Sequence, residues 1–183
     1  MSYSFSCHRI CARAEQSCNM RINDVAVRCY ADIIFVVDES ASDNFDERKW
    51  LMSRFVSSVV IGGSKTQVGV VTYSAVVDTT QAFNLNVHSS AAALKTAISA
   101  LSYSANGTRT DLGLAYVRNT MLTSGAGDRP DYPNVVVVMT DGRSTQPALT
   151  EVSTILLLFL FSNNAHSSEL SNVVHGRCAW SKR

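Results

Sequence analysis

Net charge is nearly absent from this chain: over 183 residues, 16 lysines and arginines face 15 aspartates and glutamates, which leaves a formal charge of +1. No strong field draws such a molecule to nucleic acid or to an anionic membrane surface, so neither is expected as a partner. Glycine and proline are scarce, at 9 and 3 residues, and that excludes collagen-like repeats and proline-rich disorder. Long apolar runs are missing too. The longest, Ile155 to Phe161, is far below the roughly 18–20 residues that a membrane-spanning helix requires. The first twenty residues, MSYSFSCHRICARAEQSCNM, lack the apolar stretch of about 7–15 residues of a secretory signal, so secretion is not written in the visible N-terminus. What remains is 46% hydrophobic and 17% charged, enough for one core in a domain of roughly 100–200 residues.

The cysteines are lopsided. Cys7, Cys11, Cys18 and Cys29 precede the main body and Cys178 lies near the end, and an odd number leaves at least one thiol without an internal partner. Their spacing is open to a disulfide-bonded module, a metal cluster or incidental thiols, although no C-x2-C pair or paired histidine spacing supports zinc. The histidines His8, His88, His166 and His175 are scattered, and solvent exposure is expected for them.

From residue 31 the pattern becomes that of alternating strands and helices. Ile33 to Val37 is a continuous apolar run, as in a strand covered on both faces, and it ends abruptly at Asp38. Phe45 to Val60 carries Trp50, Leu51, Phe55, Val56, Val59 and Val60 at helical spacing, with Gly62-Gly63 as the stop. Trp50 and Phe55 are expected in the core. Gln67 to Tyr73 is a second buried strand, and Val76 to Leu85 has the mixed pattern of a half-exposed edge strand, antiparallel to it across a tight turn at Ser74-Ala75. Ser89-Ser90 suits a cap for a helix with Leu94, Ala97, Ile98 and Leu101, and Thr110 to Leu122 forms another with Leu114, Val117, Met121 and Leu122 inward. Asn134 to Met139 reads as a third strand of the fully buried kind, followed by Thr140-Asp141-Gly142. The expected fold is α/β: a Rossmann-like open, mostly parallel sheet with helices on both faces and one antiparallel edge strand.

In such sheets ligands bind beyond the carboxyl ends of the strands, so three loops converge on one crevice: Asp38-Glu39-Ser40-Ala41-Ser42, Gly107-Thr108-Arg109-Thr110 and Thr140-Asp141-Gly142. Carboxylates and hydroxyls together suit a hard divalent cation such as Mg2+. Each segment also has a plainer reading, because aspartate and serine after a strand often only cap a helix. Ile61 to Thr66 superficially suggests a phosphate loop, but it lacks G-x4-G-K-[ST] and lies between helix and strand, which makes it a turn. Asn106-Gly107-Thr108 is a glycosylation sequon whose glycan would crowd the crevice. Glu39 and Arg109 are expected to face solvent or a partner, with orientation of the neighbouring oxygens as the sharper alternative.

D-x-S-x-S after an apolar strand, a G-T-x-T loop and a strand ending in T-D-G, in that order, resemble the von Willebrand factor type A domain over about residues 30–147. The resemblance implies a metal-ion-dependent adhesion site with Asp38, Ser40, Ser42, Thr108 and Asp141 as its ligand positions, holding Mg2+, or Mn2+ or Ca2+ in its place. Thr108 rather than Thr110 takes the ligand role by the same analogy, while direct and water-mediated binding by the two aspartates stays open. It further implies a non-enzymatic, extracellular protein-binding module of the matrilin and collagen VI type. Its partner would be an extracellular matrix protein such as collagen, or a cell-surface receptor, that donates an acidic side chain to the metal. Cys29 resembles the cysteine that precedes the domain in those proteins, which makes Cys178 a candidate for its disulfide partner.

The chain then divides into a cysteine-containing segment 1–29, the domain 30–150 and a divergent segment 151–183, in which the family's later strands are incomplete. Ile155 to Phe161 is open to a replacement strand beside Asn134 to Met139 or to a helix, after a crossover beginning near Pro147. Two other functions are weighed beside adhesion. One is a structural or non-functional fragment of such a domain; the other is a Mg2+-dependent phosphotransferase with Asp38 as nucleophile, which normally wants a second acid where this chain has Ser40.

Overall fold

The computed structural model describes residues 30–40, 45–104, 106–140 and 143–154. The expectations for Cys7, Cys11, Cys18, Cys29, Cys178, His8, His166, His175 and the run Ile155 to Phe161 lie outside the described residues, and so do Ser42 and Asp141.

The first apolar run forms β1 (Asp32–Asp38), followed by α1 (Phe45–Ser58), β2 (Gln67–Tyr73), β3 (Val77–Phe83), α2 (Ala91–Ala100), α3 (Thr110–Tyr116) and β4 (Asn134–Met139). A five-residue π-helical turn, Val117–Met121, prolongs α3, and residues 147–154 are helical from Pro147 onward. The four strands lie in the order β3-β2-β1-β4. β1 pairs in parallel with β2 and with β4, whereas β3 runs antiparallel to β2 at the edge, with a register irregularity between Val70 and Thr72. The mostly parallel sheet with one antiparallel edge is therefore as the sequence predicts.

Both faces of β1 are covered, which is why its sequence is an unbroken apolar run instead of an alternating one. Ile33, Phe35 and Val37 pack with Phe45, Met52 and Val56 of α1 and with Leu94 and Ile98 of α2. Ile34 and Val36 face the other way, into a cluster with Val71, Tyr73, Leu114, Val117 and Met121. Ser90 caps α2 as expected, its hydroxyl accepting the Ala93 N–H at 3.2 Å, and this satisfies one of the helix's free donors. Gly113 lets α3 settle on the sheet, since a Cβ there would stand 2.9 Å from Cδ1 of Tyr73 and 3.0 Å from Cγ1 of Val36.

Three expectations need correction. The buried stripe of α1 is Phe45, Arg48, Met52 and Val56, so Trp50 lies off the core and is 51% exposed. Phe55 sits at the margin, edge-on to Phe35 at 5.6 Å between ring centroids. The apolar residues of this helix outnumber what one face holds, and the sheet selects the face. Trp50 instead stacks loosely with Arg54, whose guanidinium is 5.7 Å from the ring centroid. Trp50→Ala is expected to change unfolding free energy by less than about 1 kcal/mol, as an exposed cation–π pair is worth roughly 0.5–1 kcal/mol; a urea melt measures it. Second, β4 is half-buried instead of fully buried, with Val138 41% exposed, because it forms the sheet edge among the described residues. Third, His88 is partly covered: its ring meets Phe83 edge-on at 4.8 Å.

Candidate metal centre

The parallel register sets Val37 of β1 beside Met139 of β4, so the residues that follow, Asp38 and Thr140, leave the sheet side by side. The Thr140 hydroxyl donates to Asp38 Oδ2 at 2.8 Å, and the Ser40 backbone N–H donates to Asp38 Oδ1 at 2.9 Å. Asp38 is fully buried, which is tolerable for a carboxylate only because its oxygens have such partners. The Thr108 hydroxyl donates to the Ser40 hydroxyl at 3.3 Å across a sequence separation of 68. Three of the five residues singled out from sequence, Asp38, Ser40 and Thr108, are thus brought together. Ser42 and Asp141 lie outside the described residues.

The loop that presents Thr108 is held from several sides. The Arg109 N–H donates to the Ser74 carbonyl at 2.7 Å, and the Thr108 carbonyl accepts the Thr145 N–H at 2.8 Å. Gly107 adopts a left-handed φ of 46°, the conformation in which glycine is preferred, and a Cβ there would lie 3.5 Å from Ala75. Thr110, the other threonine of the loop, is buried, and its Oγ1 is 3.1 Å from the Tyr73 hydroxyl. Burial pushes the Tyr73 phenol up to about 12, so it stays neutral at physiological pH.

Two flanking residues differ from expectation. Glu39 is buried, at 1% exposure, and does not face solvent. Its N–H donates to the Tyr73 carbonyl at 2.9 Å, which prolongs the β1–β2 pairing by one residue and keeps the side chain inside the sheet's envelope. There Gln81 Nε2 donates to its Oε2 at 3.4 Å, and burial pushes its carboxyl above the ordinary range. Arg109 turns to Asp111, with Nε and Nη2 donating to the two carboxylate oxygens at 2.8 and 2.7 Å.

This fork holds the Asp111 carboxyl below its ordinary 3.8. A depressed folded-state value means that the contribution to stability is present above pH 3.8 and is lost as pH falls through the lower, folded value. Asp111→Asn is expected to flatten the acid limb of melting temperature against pH below about 4. An unchanged limb would show that the fork carries none of it.

Sequence reasoning missed Arg48. It is buried at 7% exposure, and its Nη1 donates to the Asp38 carbonyl, which fixes the end of β1 from the α1 side. Its position three residues after Phe45 and four before Met52 was the available signal; the charged cluster Asp46 to Lys49 masked it. The phosphate-loop look-alike is a turn closed by an Ile61–Thr66 bridge. Its Gly63 and Lys65 carbonyls accept from Arg129 at 2.9 and 2.7 Å, so it presents acceptors to a cation and not donors to an anion.

The profile of the von Willebrand factor type A domain matches residues 32–158. Matrilin-1 from Bos taurus is 36% identical over 128 residues, covering 67% of this chain and 23% of that protein. The collagen alpha-4(VI) chain of Mus musculus is 37% identical over 120 residues, covering 63% of this chain and 5% of that one. The chain thus spans about a quarter of the matrilin's length or less of such relatives. Among solved structures, proximal thread matrix protein 1 from the mussel byssus, with a zinc-occupied MIDAS motif, aligns with a TM-score of 0.64 at 27% identity, over 71% of this chain and 35% of that one. These relatives are matrix proteins and not enzymes, and no helix among the described residues is long and apolar enough to cross a membrane. On the fold, the order of the strand-end motifs and the extent of the match, the chain belongs to the von Willebrand factor type A domain family.

Proposed function

We propose that this chain is a non-enzymatic adhesion module that binds its partner through a divalent cation, in an extracellular matrix or cell-adhesion protein. Residues 30–150 form the module, flanked by segments 1–29 and 151–183. One observation carries the reading: the Ser40 and Thr108 hydroxyls, from loops distant in sequence, meet at 3.3 Å beside the Asp38 carboxylate. Neighbouring oxygens on an octahedral Mg2+ with bonds of 2.0–2.1 Å stand about 3 Å apart, so this pair needs little adjustment to share one ion. Asp38, Ser40, Ser42, Thr108 and Asp141 would hold it, with Mg2+ the expected ion and Mn2+ or Ca2+ the alternatives. The zinc-occupied motif of the mussel protein supports a divalent ion at this place in the fold.

When bound, the cation supplies a coordination position for a carboxylate oxygen of the partner. The chain's own residues prepare that position. Thr140 and the Ser40 N–H fix the Asp38 carboxylate, Arg48 fixes its carbonyl, and the contacts of Ser74 and Thr145 fix the Thr108 loop. Neutral hydroxyls leave the ion much of its positive charge, and that favours an acidic ligand. The partner class is a matrix protein such as collagen or a cell-surface receptor.

Thermal unfolding with EDTA, Mg2+ or Mn2+ tests the site. Metal at 100 times its dissociation constant is expected to stabilise the fold by about 2.7 kcal/mol, and Asp38→Ala and Asp141→Ala are each expected to abolish the effect. A metal-indifferent wild-type transition, or a full effect in both variants, would sink the reading.

A further inference from the structure

We propose that the amino-terminal end of the sheet carries a second cation site, a calcium clamp in which Asp128 and Asn134 close on Asp32. It lies at the opposite end of β1 from Asp38, roughly 20 Å away along the strand, and does not rest on the adhesion reading.

Strand register builds the place. Asp32 of β1 stands between Gln67 of β2 and Asn134 of β4, and residues paired in this way project from the same face of a sheet. It is the face that buries Ile34 and Val36, two and four residues further along β1. Asp128 is brought to Asp32 by the chain itself, since the N–H of the next residue, Arg129, donates to Asp32 Oδ2 at 3.0 Å. Burial pushes the Asp32 carboxyl up, and the Asp128 charge pushes the same way.

Three oxygens of this neighbourhood are buried without a hydrogen-bond partner among the described residues: Gln67 Oε1, Asp128 Oδ1 and Asn134 Oδ1. Gln67 as a whole is only 9% exposed. Each of these atoms is an acceptor, and a buried acceptor left unpaired is costly, most of all on a carboxylate. The nearby arginines do not supply the missing partner. Arg129 is committed to Asp32 and to the Gly63 and Lys65 carbonyls, while Arg118, whose Nε donates to Asn119, bonds to none of the three. Formal charge points to a cation as well, because Asp32 and Asp128 outweigh Arg129.

Main-chain bonds hold these oxygens in place. The Asp128 N–H donates to the Thr123 carbonyl at 3.1 Å, the Tyr132 N–H to the Arg129 carbonyl at 3.1 Å, and the Asp32 N–H to the Pro133 carbonyl at 2.9 Å. Gly127, at a left-handed φ of 93°, turns the chain into Asp128 where a Cβ would meet the Asn86 nitrogen at 2.8 Å. A loop fixed in this way loses little entropy when it binds an ion.

The oxygen set selects the ion. Carboxylate and amide oxygens suit a hard cation. Ca2+ accepts irregular shells of about six to eight oxygens, whereas Mg2+ demands near-octahedral geometry and keeps several waters, for which buried ligands leave little room. Asp128 Oδ1 and Asn134 Oδ1 are the direct ligands, with Asp32 Oδ2 beside them and Gln67 Oε1 flanking on the β2 side; loop carbonyls and water complete the shell. Two carboxylates beside an arginine make a weak site, so the dissociation constant is expected in the range of extracellular calcium modules, about 10−4–10−3 M. The ion would tie the first residue of β4, the edge strand among the described residues, to β1.

Ca2+ titration of the full chain carrying Asp141→Ala, which takes a carboxylate from the adhesion site, tests this by calorimetry and thermal unfolding. Ca2+ is expected to bind and raise the melting temperature, and Mg2+ at the same concentration to leave it unchanged. Adding Asp128→Asn is expected to weaken Ca2+ at least about tenfold, and Asn134→Asp to tighten it by a similar factor, since affinity follows ligand charge. Cooperative melting in EDTA shows that each variant folds; should Asp128→Asn fail to, Asn134→Asp decides alone. Ca2+-indifferent melting would mean that water satisfies these oxygens, and it overturns the inference. An equal response to Mg2+, or unchanged Ca2+ affinity in either folded variant, overturns it too. The adhesion reading is judged separately, by the Mg2+ response that the wild-type chain has and Asp141→Ala lacks.

Discussion

Replacing Arg129 by alanine is expected to destabilise the domain by about 3–5 kcal/mol, the cost of stranding one member of a buried ion pair. Its partner Asp32 is fully buried at the start of β1. Arg129 Nε and Nη2 donate to Asp32 Oδ1 at 2.9 and 2.5 Å, and the Arg129 backbone N–H donates to Oδ2 at 3.0 Å, across a sequence separation of 97. The same guanidinium reaches the Gly63 and Lys65 carbonyls and stacks on Tyr132 at 3.5 Å. One side chain therefore ties the first strand, the α1–β2 turn and the approach to β4.

Burial pushes the Asp32 carboxyl above its ordinary range, and Arg129 opposes that rise. Without the arginine the opposition disappears, and the carboxyl in the folded state rises further. A raised folded-state value favours the protonated fold, so the penalty is absent below the unfolded value near 3.8 and fully developed above the folded one. The deficit of Arg129→Ala should consequently be largest at neutral pH and shrink toward pH 4. Chemical denaturation at both pH values measures this. The companion Asp32→Leu/Arg129→Met is expected to recover only part of the loss: two apolar side chains leave no unpaired charge, but the Arg129 N–H and the Gly63 and Lys65 carbonyls lose their partners. A single-variant loss under about 1 kcal/mol at neutral pH would mean that the pair behaves as a solvated one.

Ile34→Ala is expected to cost about 2–5 kcal/mol, the range for truncating a buried aliphatic side chain to alanine. Ile34 is 1% exposed and lies between Gly69 of β2 and Val136 of β4 in the sheet register. Gly69 contributes no side chain to that row, and a Cβ there would meet Met121 Cε at 2.8 Å, so Met121 already fills the space over the glycine. Truncating Ile34 opens a void beside this arrangement. The flexible thioether of Met121 is the group best able to move into it. The loss is therefore expected in the lower half of the range, and Met121→Ala in the same background should cost more than it costs alone, because it also removes the group that fills the gap. Denaturant melts of the two single variants and the double give the comparison. Strict additivity would show that Met121 does not move into the gap.

The strands were legible because parallel strands covered on both faces must be apolar throughout. β2 and β4 begin and end where the residue pattern places them. The face of α1 was not legible: Trp50, Leu51, Phe55 and Val59 are as apolar as Met52 and Val56, and only the sheet's position decides which of them it covers. Glu39 misled and Arg48 was missed for one reason. A charged residue reads as solvated, but here each is buried and finds a partner contributed by another segment. Arg129 was invisible in the same way, since its partner lies far away in sequence.

The sequence by itself determined the fold class, the order of the strand-end motifs and the residue types at the candidate site, because these depend on local periodicity and on the chemistry of oxygen donors. Only the tertiary structure decided that Ser40 and Thr108 stand within hydrogen-bonding distance, that Thr110 turns instead to Tyr73, and that Glu39 is buried. Each of these depends on the parallel pairing of β1 with β2 and β4 and on main-chain bonds between loops. Such contacts join segments far apart along the chain, and no local pattern of residues encodes their distance.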